Sequence, residues 1–570
     1  MSAPSLSMIV RRSVILGSLA MALVACDGAS HSASDAGTTL ILARSSDPEW
    51  LNPVAGHQHP DADLALFRGL FRLTENGQLA PDVAQDWSVT PDGLTYTIRL
   101  RQGVRWHDGQ PLTAADVKFT LDTILNPANH SGLRAQLRDI ARVEVVDEHT
   151  ANIVLSRPLA SLPAKLQVGL IPRHRLEGRN FNTDPFSQES PIGTGPFMFQ
   201  SRERGQYLLY VANPDFYTGK SSIDRLIYKI IPDPNVRLVE LLRGDIDVAR
   251  LDPKDVAALD KNPDVVVQTL DSADFRVMMF NYKYPPFRDL RVRRAIQYAT
   301  DRQALVDGAL RGYGVPAYGP LQMLPVSAPD LPKFDNDLQK ANELLREAGW
   351  TPGADGILVK DGVRLSFPLL APTNDATRQD LATLLSSQLR RVGIDAVVQF
   401  KDWKAFRIED ATALILGGGA ADDPDNNLYR YYSSRLGSDG TNFSSYHNPR
   451  VDELLETARN TLDPEARAKL YRELQHELIM DPPYNFLVYL KHVYGVRKQW
   501  TGFKPRLAGH GTTPLWNIEE WTYTGPAESR DLPTSGKYRG LSRLWNTPDP
   551  HDHDHEHDHD HGDDHGPDGH

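Results

Sequence analysis

Side chains with metal-binding chemistry recur at short, regular spacing in two stretches of this 570-residue chain. His551, His553, His555, His557, His559 and His561 alternate with Asp or Glu, and eight of the nineteen histidines fall in the last twenty residues. Imidazole and carboxylate at that density collect Ni²⁺, Zn²⁺, Co²⁺ or Cu²⁺ with low specificity. A solvated polyanionic tail is the plainer alternative. His57, His59, Asp61 and Asp63 alternate too, as polar loops often do. Catalytic motifs are incomplete. His476-Glu477 opens a zinc motif, but Met480 stands where its second His belongs. Asp423, Asp425 and Asn427 start like a calcium loop, yet Leu428 and Ser434 occupy the positions that need Gly and Glu. No phosphate loop, nucleophile elbow or complete dinucleotide fingerprint occurs. We expect no enzyme and no required cofactor.

Binding chemistry is better represented. Gly417-Gly418-Gly419 lets a ligand approach the backbone closely, or lets a loop bend, and Asp422 follows with a carboxylate able to hold a cation. Arg430, Tyr431, Tyr432 and Arg435 come next and suit stacking on, or pairing with, an anionic group. A surface helix or rim explains them equally well.

The elements that must carry these residues are a mixture of strands and helices. Leu94 to Arg101 alternates as a half-buried strand after the turn Pro91-Asp92-Gly93. Leu365 to Leu370 and Ala396 to Phe400 read as strands around a helix over Ala376 to Arg391, which Gly393 ends. That is a βαβ unit. Val451 to Thr461 and Pro464 to Ile479 read as amphipathic helices, and Thr113 with Asp116 as a helix cap. Hydrophobic residues at 40%, charged residues at 24% and a mean hydropathy of −0.42 suit a globular body and exclude a polytopic membrane protein. The net charge of −12 is concentrated at one end. The last twenty residues hold eight of the 74 acidic side chains and none of the 62 basic ones, so residues 1–550 carry a net charge of −4. Nucleic acid is therefore not expected as a partner.

The single cysteine excludes a disulfide framework and a Cys-rich metal site. Arg11 and Arg12 precede an apolar run from Val14 to Ala25, and Leu23-Val24-Ala25-Cys26 resembles a bacterial lipobox. The resemblance implies a signal peptide over 1–26 and a lipid on Cys26. Residues 27–38, rich in Ser, Ala, Gly and Asp, read as a flexible tether. Asp27 resembles the signal that retains lipoproteins at the inner membrane, so the expected location is its periplasmic side.

A longer resemblance runs through the body. Pro81-Asp82-Val83-Ala84-Gln85-Asp86-Trp87 leads to Val104-Arg105-Trp106-His107-Asp108-Gly109 and Pro111-Leu112-Thr113-Ala114-Ala115-Asp116-Val117. Gly193-Thr194-Gly195-Pro196-Phe197, Leu242-Arg243-Gly244-Asp245-Ile246-Asp247, Arg294-Ala295-Ile296 with Thr300-Asp301-Arg302, Leu344 to Trp350 and Asp423-Pro424-Asp425-Asn426 follow in order. The set, over residues 39–524, resembles the family 5 extracellular solute-binding proteins of ABC importers, which bind dipeptides, oligopeptides or nickel. The resemblance implies an α/β, bilobal fold of the type II periplasmic binding class, with an inserted subdomain and a ligand cleft between the lobes. Lobe I is expected from 39–80, 190–280 and 501–524, the insertion from 81–189, and lobe II from 281–500. A linker follows over 525–550 and a His/Asp-rich tail over 551–570. Trp87, Trp106 and Asp108 read as scaffold.

The resemblance also implies a monomer that captures a peptide or similar small solute and delivers it to a membrane permease with its ATPase. A nickel or metal-chelate receptor of the same fold, and a sensor without a permease, remain open. Peptide binders of the family place an acid just before the D-P-D-N element, where this chain has Ala420. Asp422 takes that role only if the loop is shifted by two residues. The expected ligand-binding set is Asp422, Gly418, Gly419, Trp50, Asn52, Arg430 and Arg435, with Trp50-Leu51-Asn52-Pro53 matching the family segment that enters the cleft.

Overall fold

The computed structural model describes residues 37–55, 63–180, 183–259, 262–431, 433, 442–510 and 514–525. Cys26 with its signal and most of its tether, His57, His59, Asp61, Tyr432, Arg435 and the histidines of the tail lie outside the described residues.

Elements set by local sequence appear close to where the pattern puts them. The strand Thr95–Leu100 buries Tyr96 and Ile98 and pairs with Thr150–Leu155. The helix Ala114–Leu125 starts at Thr113, whose backbone N–H donates to Asp116 Oδ2 at 2.9 Å. The strands Ser366–Pro372 and Asp395–Lys401 run parallel on either side of the helix Ala376–Arg390, which completes the βαβ unit. The helices Pro449–Asn460 and Pro464–Met480 follow. No helix among the described residues is long and apolar enough to cross a membrane.

Most of the molecule hangs on one sheet of eleven strands. From one edge its order runs Asp395–Lys401, Ser366–Pro372, Ala413–Gly418, Val265–Met279, Tyr484–Arg497, Val248–Leu251, Thr39–Arg44, Arg225–Ile230, Tyr207–Ala212 and Phe197–Glu203, with Gly314–Pro316 beside Tyr484–Arg497. Two central strands carry both halves. Val265–Asp271 faces Lys491–Arg497, then the register shifts, and Phe275–Met279 faces Tyr484–Tyr489. The hydrophobic cores divide at the same place. Leu270, Val493 and Tyr494 pack in the cores built mainly from residues 40–259, whereas Ala273, Phe275 and Tyr489 pack in those of residues 273–490. The change of partners thus falls inside these strands, at about residues 271–275 and 489–491.

A third segment crosses at the same level. Ala508 accepts from the Ala273 N–H at 2.8 Å and donates to Asp271 O at 3.0 Å, and His510 N–H donates to Gly419 O at 2.7 Å. Three strand-like passages therefore join the halves, the arrangement from which hinge motion is expected. The segment expected as an insertion forms a four-stranded sheet, and its buried Ile98, Ala151 and Ile153 share one core with Leu40, Leu42 and Tyr210.

The family-like motifs have local physical roles. Arg302 is almost wholly buried, and its guanidinium donates to the carbonyls of Ala317, Phe334 and Phe486 at 2.7–2.9 Å and to Asn485 Oδ1 at 2.8 Å. One side chain thereby ties four separate segments, which explains why an arginine closes the Thr300-Asp301-Arg302 element. Trp106 is buried, whereas Trp87 stacks on Tyr96 with an exposed edge.

Candidate functional site

The register shift leaves Ser272, Ala273 and Asp274 bulged where the halves meet. Asp274 is fully buried. Its carboxylate accepts from Arg276 Nη1 at 2.5 Å, faces His492 Nε2 at 3.0 Å and faces His510 Nδ1 at 2.9 Å. Burial alone would raise its pKa, but Arg276 and the two histidines hold it well below the usual carboxylate range. His510 borders two cavities, one of about 320 Å³ and one of about 740 Å³. His510 is the residue that lines both.

The smaller cavity has apolar walls that include Phe67, Phe71, Leu133, Leu507 and Trp516. Lys165, on its wall, belongs to a group of ion pairs that joins residues 139–165 to the carboxyl-terminal half. Lys165 Nζ lies 3.1 Å from the fully buried Asp425, and Arg459 bridges Asp139 at 3.2 Å and Asp425 at 3.7 Å. Asp423 is occupied by a bidentate contact with Arg467, both nitrogens at 2.8 Å. Asp422 is left for the cavity. Its Oδ2 accepts from Asn426 at 2.9 Å and Gln167 at 3.3 Å, while buried Oδ1 has no hydrogen-bond partner among the described residues. Desolvation raises its pKa. Arg506 shares the wall, stacked 4.9 Å over Trp516, with its pKa pulled down to about 10 by burial and Arg72, against Asp422. An unsatisfied buried carboxylate oxygen in an apolar cavity is suited to a cationic group.

The sequence-derived candidates separate in space. Asp422 and Gly419 line the smaller cavity. Gly419 has φ of +125°, and a Cβ there would sit 1.8 Å from the Ala273 carbonyl oxygen, so the hinge crossing itself demands glycine. The neighbouring glycines make room for arginines. A Cβ on Gly417 would lie 2.7 Å from both Arg276 and Arg378, and one on Gly418 would lie 2.6 Å from Arg430. Arg430 reaches over the Phe275 ring at 5.7 Å and lines neither cavity. Asn52 is buried away from both, donating to Ser187 Oγ at 3.1 Å and accepting from Val54 N–H at 3.1 Å. Trp50 packs against the first core, and Pro53 is the part of that segment that reaches the cavity. Sequence reasoning missed His510, Arg506, Trp516, Gln167 and Arg378. They arrive from segments far apart in the chain and carry no local motif. Among the described residues, no group of three or more His, Cys, Asp or Glu side chains is placed to hold a metal ion.

Comparison with known proteins fits this architecture. Residues 78–439 match the family model described as bacterial extracellular solute-binding proteins, family 5 Middle. Protein XP55 of Streptomyces lividans is 34% identical over 517 residues, which cover 89% of this chain and 94% of that protein. The oligopeptide-binding protein AppA of Bacillus subtilis is 29% identical over 534 residues, covering 89% of this chain and 97% of that one. Its structure with a nonapeptide matches with a TM-score of 0.76 at 28% identity, over 86% of this chain and 99% of that chain. The crystal structure of NikZ from Campylobacter jejuni in complex with Ni(L-His) matches with a TM-score of 0.80 at 36% identity, over 85% and 99%.

The hinge cluster makes stability depend on pH. Burial, and then Arg250, lower the pKa of His492 from 6.5 to about 4 against the opposing pull of Asp274, so its ring is neutral in the folded chain. Unfolded histidine binds a proton below about 6.5, so this contribution is full above that pH and is lost as pH falls towards 4. A shift of that size corresponds to about 3 kcal/mol. Denaturant titrations at pH 7 and pH 4.5 are expected to show a smaller acid loss in His492→Gln than in the parent. Equal losses in both would remove His492 from this role.

Proposed function

The chain belongs to the family 5 bacterial extracellular solute-binding proteins, and from that premise we propose that it is the receptor of an ABC importer for peptides or similar amine-bearing solutes. The observation that carries the ligand class is Asp422, which lines the smaller cavity and whose buried Oδ1 has no hydrogen-bond partner among the described residues. A ligand ammonium there would satisfy the carboxylate and be satisfied by it, while the apolar walls take uncharged parts of the solute. Peptide recognition by AppA, which carries a nonapeptide in its structure, supports the same class. Ligand contacts made from both halves would favour the closed cleft, and the closed form would be the one presented to the permease.

A second reading, a receptor for a metal chelate, is supported by His510. Its Nδ1 faces Asp274, which leaves Nε2 as a donor at the junction of the two cavities. A chelate brings most of its own ligands, so one imidazole can complete it. NikZ with Ni(L-His) supports this reading. The histidines at 551–561 are read as a separate, low-specificity collector of divalent metal, and Cys26 as the lipid anchor on the periplasmic side of the inner membrane.

Calorimetry with a panel of short peptides should give saturable binding. Asp422→Asn should weaken binding of amine-bearing ligands by about 2 kcal/mol or more, because it removes one partner of a buried ion pair. Since the Asp422 pKa is raised, parental affinity should also fall on acidification, and the mutant should lack that slope. Unchanged affinity in a folded Asp422→Asn protein would exclude the amine reading. For the chelate, nickel–histidine should bind a protein lacking residues 551–570 and lose affinity in His510→Ala. Binding that disappears with the tail would confine metal to it. Cys26→Ala should move the protein from the membrane to the soluble periplasmic fraction, and continued membrane association would reject lipid anchoring there.

A further inference from the structure

The two halves also meet away from the hinge, across a seam of charged side chains. Lys165 Nζ lies 3.1 Å from Asp425, Arg459 Nη2 lies 3.2 Å from Asp139, and Arg157 pairs with Glu456. In each pair one residue belongs to the amino-terminal half and the other to the carboxyl-terminal half. The side chains of Lys165, Asp425, Arg459 and Asp139 are each no more than 7% exposed. Neutral contacts follow the same line. Ser161 Oγ donates to Asp425 Oδ2 at 3.2 Å, and the Ala160 N–H donates to Arg459 O at 2.9 Å. Leu462 reaches within 3.0 Å of the point a Cβ on Gly93 would occupy. Leu159 and Leu162 pack in the core of the first half, and Leu428, Leu455 and Ala458 in a core of the second. The seam therefore lies between two separately packed bodies rather than inside one.

Opening the halves exchanges these pairs for water. Burial raises the pKa of Asp425, but Lys165 and then Arg459 bring it below the usual value, so its carboxylate is ionised in the closed seam. For such buried pairs the Coulomb attraction and the hydration regained on opening nearly cancel. A seam of this kind poises an equilibrium between closed and open forms instead of locking it. Loss of one partner tips the balance, because the charge left behind is uncompensated only while the halves stay closed. Neither Asp139 nor Arg459 lines either cavity, so any effect they have on binding passes through closure.

We propose that Asp139, Arg459, Asp425 and Lys165 form a latch that closes the two halves on each other without a solute, with Asp139 and Arg459 as positioning residues for binding. The latch reaches the smaller cavity through hydrogen bonds. Asn426 Oδ1 accepts from Lys165 Nζ at 2.8 Å, and its Nδ2 donates to Asp422 Oδ2 at 2.9 Å. Gln167, from the amino-terminal half, donates to the same Asp422 oxygen at 3.3 Å. Closure thus brings Asp422 two partners that depend on the opposite half, and the latch orients that carboxylate before a solute arrives. The latch rests on closure of two lobes, as in the function proposed above, and is independent of which solute is bound.

The test uses the full chain with no solute added. Small-angle X-ray scattering should give a larger radius of gyration for Asp139→Asn and for Arg459→Met than for the parent. Amide hydrogen exchange at residues 159–166 should quicken about tenfold or more in both variants, as expected when a buried charge pair loses one partner. Exchange in the central strand Val265–Met279 should stay as it is in the parent, because each half remains folded. An unchanged radius of gyration in both variants would overturn the latch, whatever the exchange at 159–166. Exchange that quickens equally at 159–166 and in Val265–Met279 would overturn it too, since the pairs would then hold one body together rather than join two. No solute enters the measurement, so a failed peptide panel leaves the latch standing and a failed latch leaves the amine reading standing.

Discussion

A buried carboxylate at the crossing of two long strands is the constraint around which this molecule is arranged. Asp274 has no access to solvent and lies where Val265–Met279 exchanges one set of neighbours for another. An unpaired charge there would cost several kcal/mol, so Arg276, His492 and His510 have to converge on it. Those three partners come from the same strand, from the antiparallel strand opposite and from the segment that follows it. Satisfying one charge therefore fixes the register of the crossing and the place of the third passage. It also sets His510 at the border of both cavities.

The cleft inherits its shape from that crossing. Gly419 is needed because the backbone of Ala273 passes too close for any side chain, and Gly417 leaves the space beside it to Arg276 and Arg378. The loop that then leaves the sheet carries Asp422 into the smaller cavity while Asp423 and Asp425 are taken up by Arg467, Lys165 and Arg459. Three neighbouring carboxylates thus have different fates, set by what each can reach. Asp422 and Asp425 each keep one oxygen without a hydrogen-bond partner among the described residues, but Asp422 is the one whose residue lines the smaller cavity.

How much of this was legible in the chain depended on the range of each interaction. The capped helix at Thr113 and the βαβ unit around Ala376–Arg390 were readable because caps, turns and apolar spacing act within a few residues. Asp422 was readable as a candidate from the glycines and the D-P-D-N element beside it. The hinge was not, because Asp274 and His492 are 218 residues apart and no local pattern links them. The long strand Tyr484–Arg497 had a signal, a run of aromatic and β-branched residues, that went unread. Asn52 and Gly418, expected at the ligand, also have packing roles, since the first hydrogen-bonds Ser187 and Val54 and the second leaves room for Arg430. A residue type suited to binding is equally suited to packing, so sequence alone does not separate the two.

The central claim is that the smaller cavity receives the amine of the solute at Asp422. A crystal structure of the protein with a peptide bound tests this most directly. The account predicts ligand density in the smaller cavity with an ammonium nitrogen within hydrogen-bond distance of the Asp422 carboxylate. A ligand seated elsewhere, or one that brings no cationic group to Asp422, would contradict it.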